Sequence, residues 1–306
     1  MAGYVCCSLL QEPEELSAPP HTVRLTRQPV TVEAPATTST KCGKRSNPGG
    51  TRGRVATRGR EGETQLGEYP WHAAILRREQ VDNLYICGGS LLDSRHVLTA
   101  AHCLEQHTME ELRVRLGEWD VNSDSEFYPN LEYSVDSIVV HPQYQAGNLY
   151  NDLAVVRLAS RVDTDQHPHI GPVCLPHPAQ SVAGRRCYVS GWGKDVFGPN
   201  GTYQNTLKEV DVPVLLDFDC ERKLKKTRLG SDFVLHPGFL CAGGEEGKDA
   251  CKGDGGGGLA CEVSGDWVLS GVVSWGLGCG QEGVPGVYVE VEKYVQWIQA
   301  VISPSN

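Results

Sequence analysis

From Gly67 onward the chain is a succession of short apolar stretches broken by glycine or by polar pairs. Residues 71–76, 88–92 and 96–101 are of this kind, while 112–116 and 210–214 alternate apolar with polar positions. Residues 268–275 and 287–291 complete the strand-like set. Many short strands at turn-rich intervals predict an all-β barrel or sandwich. One helix is predicted, at the end of the chain. There Val291, Tyr294, Val295, Ile298 and Ile302 recur at three-to-four spacing, with Pro304 just beyond.

Upstream of Gly67 this patterning is lost. Residues 17–40 are rich in Pro, Thr, Ala and Val without either period. Residues 41–60 are basic and Gly-rich, carrying Lys41, Lys44, Arg45, Arg52, Arg54, Arg58 and Arg60. So little apolar area cannot offset the entropy of ordering. The expected organisation is a short remnant at 1–7, a disordered Pro/Thr-rich and then basic linker at 8–60, and a folded domain at 61–306. Exposed basic residues in the linker invite cleavage by trypsin-type proteases; a solvated tether that is never cut is the alternative.

Composition narrows the setting. The 35 glycines and 18 prolines suit a turn-rich β fold. Twelve cysteines spread from Cys6 to Cys279, without repeated CxxC pairs, read as a disulfide framework rather than zinc sites, and hence as an oxidising, extracellular setting. Asn200-Gly201-Thr202 is a glycosylation sequon on a Gly/Pro-rich stretch. A net charge of −10 argues against a nucleic-acid partner. No apolar run approaches the ~20 residues of a membrane span. Residues 1–10 lack the basic start and long apolar core of a signal peptide. Secretion chemistry without a secretion signal predicts a chain truncated at its N-terminus.

Three distant segments carry the candidate chemistry. Thr99-Ala100-Ala101-His102-Cys103 resembles the histidine box of trypsin-like serine proteases, and Asn151-Asp152-Leu153-Ala154-Val155 resembles their aspartate box. Gly253-Asp254-Gly255-Gly256-Gly257-Gly258 resembles their nucleophile loop, normally Gly-Asp-Ser-Gly-Gly-Pro. The order is that of the chymotrypsin type. Tyr69-Pro70-Trp71, Cys87-Gly88-Gly89-Ser90-Leu91, Ser190-Gly191-Trp192-Gly193, Ser274-Trp275-Gly276 and Pro285-Gly286-Val287-Tyr288 extend the resemblance from residue 67 to 302. It implies two six-stranded antiparallel β-barrels with a cleft between them and a C-terminal helix.

The physical chemistry of that site is broken at one position. A serine hydroxyl attacks only when a histidine takes its proton and an aspartate orients the imidazole. His102 and Asp152 could still pair, but Gly255 stands at the serine position and offers no hydroxyl. A sequencing error or an engineered change is the alternative, and Gly258, where the family has proline, is a second departure in the same loop. The triad is therefore expected to be degenerate: His102 and Asp152 persist as a buried pair beside Gly255. Active relatives also start at an Ile-Val-Gly-Gly-type end whose ammonium pairs with the aspartate before the serine, here Asp254. Residues 58–61 read Arg-Gly-Arg-Glu, so Asp254 lacks that partner and the oxyanion loop at Gly253 and Asp254 is expected to stay zymogen-like.

The resemblance also implies a specificity pocket. Asp249, six residues before Gly255, matches the carboxylate that pairs with a substrate Arg or Lys. Ser274 lies on the pocket wall, and Gly276 and Gly286 match the small residues that keep it open. Either this pocket captures a basic peptide end without chemistry, or it is a collapsed relic, as a zymogen-like loop would favour.

Family resemblance assigns the bridges Cys42–Cys174, Cys87–Cys103, Cys187–Cys261, Cys220–Cys241 and Cys251–Cys279. The remaining Cys6-Cys7, followed by the linker, resembles the end of an arthropod clip domain, a likeness that Leu116-Gly117-Glu118-Trp119-Asp120 strengthens. The acidic loop 118–132 holds Glu118, Asp120, Asn122, Asp124, Glu126 and Glu132. Clustered oxygens suit Ca²⁺, which related proteases bind there. Glu118, Asp120 and Glu126 are the candidate ligands, a solvated acidic loop the alternative, and no other cofactor is required. The resemblance implies a secreted, non-catalytic homologue of arthropod hemolymph. It would be a cofactor or scaffold in a proteolytic immune cascade such as prophenoloxidase activation, with cascade proteases and prophenoloxidase as partners. A protein that adheres to microbial surfaces, or an active trypsin-like endopeptidase, are the rival readings.

Overall fold

The computed structural model describes residues 42–45, 62–79, 83–123, 126–178 and 180–303. The expected clip remnant at 1–7, with Cys6 and Cys7, lies outside these residues. So does the linker at 8–60 apart from 42–45.

Six strands close into a first barrel: β1 (His72–Arg78), β2 (Asn83–Leu91), β3 (His96–Thr99), β4 (Leu112–Leu116), β5 (Leu131–Val140) and β6 (Ala154–Leu158), ordered β1-β2-β3-β6-β5-β4. In β4 the alternation seen in the sequence is the burial pattern. Leu112, Val114 and Leu116 are fully buried while Arg113 and Arg115 face outward. The second barrel holds β7 (Arg186–Gly191), β8 (Lys208–Pro213), β9 (Phe239–Gly243), β10 (Gly258–Val263), β11 (Asp266–Trp275) and β12 (Pro285–Glu290), ordered β8-β7-β10-β11-β12-β9. Its ends meet where Val214 bridges Ala242 and Leu215 N–H donates to Cys241 O at 2.9 Å. All ladders are antiparallel. The fold is two six-stranded antiparallel barrels.

Two helices complete it. Helix α2 (Val291–Ile302) buries Val291, Tyr294, Val295 and Ile298, the residues whose period announced it. Helix α1 (Asp217–Leu224) was not legible, because only Cys220 and Leu224 are buried along an otherwise charged segment. Two anchors one turn apart give too weak a period to stand out.

Five disulfides join Cys42–Cys174, Cys87–Cys103, Cys187–Cys261, Cys220–Cys241 and Cys251–Cys279, the five pairs that the resemblance implied. Beyond Cys42 the short segment 42–45 is held without covalent help. Gly43 N–H donates to Pro172 O at 2.8 Å and its carbonyl accepts from Trp267 N–H at 2.9 Å. Arg45 lies over the rings of Trp267 (3.8 Å to the centroid) and Tyr69 (4.3 Å). Its guanidinium donates to Glu68 and to the Tyr69 hydroxyl, which in turn donates to Glu209.

Candidate functional site

The cleft is assembled from turns at the ends of barrel strands, where side chains escape the core. β3 runs into a 3-10 turn, Ala101–Cys103, that presents His102, and Cys87–Cys103 ties this turn to β2. Asp152 precedes β6. Its neighbour Asn151 takes a left-handed φ of 57° and accepts from the Tyr294 hydroxyl at 2.9 Å, a local strain held by α2. Gly253, Asp254 and Gly255 lie in the turn before β10, Ser274 is the penultimate residue of β11 and Gly286 lies in β12.

Asp152 is fully buried and fully used. Its Oδ1 accepts from His102 N–H at 2.9 Å, and its Oδ2 meets His102 Nδ1 at 2.7 Å and the Ser274 hydroxyl at 2.6 Å. Ser274, expected on the pocket wall, thus also reaches across to the other barrel's aspartate. Burial pulls the His102 pKa down, but the hydrogen bond and charge of Asp152 outweigh it, leaving the imidazole above its ordinary value. With Nδ1 on the carboxylate, Nε2 lies toward Gly255. A β-carbon built on Gly255 would sit 3.1 Å from Nε2. The structure therefore brings the three expected positions together, with nothing but a glycine where the imidazole would find a proton to take.

Asp254 is deeply buried. Its Oδ1 accepts from Gly193 N–H and its Oδ2 from Cys251 N–H, each at 2.9 Å. Among the described residues no cation pairs with it. Burial pushes its pKa up, and the two N–H donors only partly offset this. Glycines at 191 and 193 make room for it, since a β-carbon at either would collide with the carboxylate.

Of the two readings left open for the pocket, an open cleft or a collapsed relic, the structure has the open one. A cavity of about 270 Å³ is lined by His102, Lys252, Gly255, Ser274 and Gly276, and reaches Asp249, Gly286 and Tyr288. It stays open because its walls lack side chains: a β-carbon at Gly286 would stand 2.8 Å from Asp249 Oδ1. The Cys251–Cys279 bridge fixes one wall. Asp249 Oδ2 accepts from Gly280 N–H at 3.2 Å, while Oδ1 is buried without a hydrogen-bond partner, as is the Tyr288 hydroxyl. Burial raises the Asp249 pKa to about 7.

The chain reading missed Lys252 and Phe197, both of which line the cavity. The adjacency of Lys252 to Cys251 and the nucleophile loop was an available signal for the first. Phe197 comes from the exposed segment 194–204 and carries none. Asn200 is exposed on that same segment.

The described carboxylates of the acidic loop are engaged with protein groups. Glu118 is buried, with its oxygens accepting from Trp119 N–H (3.0 Å), Arg115 Nη1 (3.1 Å) and Asn130 Nδ2 (3.0 Å). Arg115 Nη2 bridges on to Glu132 at 3.1 Å. Glu126 is turned to the Asp120 N–H at 2.8 Å. Among the described residues Glu118, Asp120 and Glu126 do not converge on a point; Asp124 lies outside them. The cluster that does converge is Cys87, Cys103 and His102, and its two sulfurs are spent in a disulfide.

A family model described as Trypsin matches residues 59–298. The chain belongs to the trypsin family. This trypsin-family chain is 48% identical over 245 residues to "Inactive CLIP domain-containing serine protease A3" of Aedes aegypti, covering 79% of itself but about half (51%) of that protein. It is 45% identical over 252 residues to "Phenoloxidase-activating factor 2" of Galleria mellonella, covering 78% of itself and 82% of that protein. Identity to "Inactive CLIP domain-containing serine protease A28" of Anopheles gambiae is 41% over 302 residues, 96% of the chain and 75% of that protein. The trypsin-like barrels described above thus belong to a serine protease homologue of the clip-domain kind. No described helix is long and apolar enough to cross a membrane.

Proposed function

We propose that this chain is a secreted, non-catalytic serine protease homologue that serves as a cofactor or scaffold in an extracellular proteolytic cascade, such as one that activates prophenoloxidase. The observation that carries the reading is Gly255 beside His102: a paired, oriented imidazole with no nucleophile in front of it. Without a hydroxyl no acyl-enzyme forms, whatever the oxyanion loop does. The names of the relatives from Aedes and Anopheles support the inactive half of the reading, and that from Galleria the cascade half. Five disulfides support an extracellular setting. Within this role His102 and Asp152 are a structural pair, Asp249 is the anchor for a basic side chain, with Ser274, Gly276 and Gly286 shaping its pocket, and Asn200 is a glycan acceptor. The partners are the cascade's proteases and prophenoloxidase.

The test compares the chain with its Gly255→Ser variant using a fluorophosphonate that acylates active serines, and then adds each to prophenoloxidase with an activating protease. The expected result is no labelling of the chain as it stands, with phenoloxidase activity raised by its presence. Labelling of the unchanged chain would sink the non-catalytic reading. An unlabelled chain that leaves prophenoloxidase activation unchanged would sink the cofactor role.

A further inference from the structure

Capture of a side chain alone leaves much of the cleft unused. At the closed end, Asp249 Oδ1 and the Tyr288 hydroxyl are buried without partners, a set suited to a guanidinium. At the open end the available groups can each donate, His102 Nε2 once the imidazole carries its second proton. His102 Nε2 is free of its aspartate. Lys252 is exposed and lines the cavity. The N–H groups of Gly253 and Gly255 have no hydrogen-bond partner among the described residues, and both residues line the cavity. Beside His102 lies the space that a serine side chain would fill and that Gly255 leaves empty: a β-carbon there would sit 3.1 Å from Nε2.

A peptide running through the cleft would bring only a neutral carbonyl to this end. That oxygen can accept two N–H bonds but leaves a lysine ammonium and an imidazole facing no anion. A peptide that stops at its arginine brings a carboxylate with about four lone-pair sites and a full negative charge, at the place where the donors gather. Its second oxygen needs the room that a serine hydroxyl would take.

Resting on the reading of the cleft as a capture site for basic side chains, we infer that its ligand is the C-terminal arginine of a cut polypeptide. The guanidinium sits on Asp249, and the α-carboxylate sits beside Gly255 among His102, Lys252 and the N–H groups of Gly253 and Gly255. Such ends are supplied by hydrolysis of a peptide bond on the carboxyl side of arginine. The degenerate protease thereby reads that a cleavage has happened, with no covalent step of its own.

The test is fluorescence anisotropy at pH 6.5 with one labelled peptide in three forms: ending in arginine as the free acid, as the amide, or continued beyond it. The acid is expected to bind about tenfold or more tighter than the other two. Lys252→Gln and His102→Gln should each reduce that preference toward unity. Asp249→Asn should weaken all three by about tenfold or more. Equal, Asp249-dependent binding of acid and amide would overturn the chain-end inference and leave the capture reading standing. No Asp249-dependent binding of any form would overturn the capture reading itself. Free arginine competing as well as the peptide would make this a small-molecule site and overturn the inference.

Discussion

Replacing Arg45 with alanine tests whether segment 42–45 is held by its disulfide alone or by the surface beneath it. The guanidinium covers two aromatic faces, Trp267 at 3.8 Å and Tyr69 at 4.3 Å, each worth about 0.5–2 kcal/mol. It also bonds Glu68 at 3.1 Å, an interaction of about 1.5–3 kcal/mol when dry. The Arg45 side chain is 26% exposed, which places each contribution at the lower end. The total is about 3 kcal/mol, which in a domain of this size corresponds to about 6–12 °C in Tm. The loss should also depend on pH. Glu209, whose pKa burial already raises, is held down in part by Arg45. A raised folded pKa for an acid means that stability falls as pH climbs above the ordinary 4.5. Without Arg45 that fall steepens, so the deficit is larger at pH 7.5 than at pH 5. Differential scanning calorimetry of both proteins under oxidising conditions, with urea midpoints beside it, measures both effects. Lys44→Ala is the control, since its ion pair with Asp266 is exposed at both partners and should cost less than about 0.5 kcal/mol. A shift below about 2 °C for Arg45→Ala, at either pH, would refute the anchor argument.

Other expectations follow from the cleft and the acidic loop. Benzamidine binding should strengthen by up to about tenfold per pH unit as pH rises toward 7 and then level off, because the cation needs Asp249 ionised and its pKa stands at about 7; a flat calorimetric profile would contradict this. Gly286→Ala places a β-carbon 2.8 Å from Asp249 Oδ1, and should weaken benzamidine about tenfold or more and lower the Tm by a few degrees, since overpacking a buried site costs about 1–3 kcal/mol. EDTA should move the Tm by less than about 1 °C, because Arg115 already neutralises Glu118 and Glu132; a fall of several degrees restored by calcium would show that the loop rearranges around a metal. Gly255→Ser should gain at most slow turnover of an Arg-terminated chromogenic peptide. Asp254 keeps its two backbone donors and no cation, so rapid turnover would show that the loop needs no ammonium partner.

Much of this architecture could be read along the chain, because strand periodicity and local boxes are local properties. The alternation at Leu112–Leu116 became a barrel strand, and the period of Val291, Tyr294, Val295 and Ile298 became the buried face of α2. Gly255 was legible as a missing hydroxyl because chemistry is lost with the atom itself, wherever the residue sits. Helix α1 was hidden by its own charge. What only the tertiary structure decided depends on groups far apart in sequence. Ser274 crosses 122 positions to share Asp152, and Arg115 reaches both Glu118 and Glu132. The pocket's openness is of the same kind. A buried carboxylate with one unpartnered oxygen has room only because Gly286 lacks a side chain, and that absence has consequences only once the opposing surface is in place.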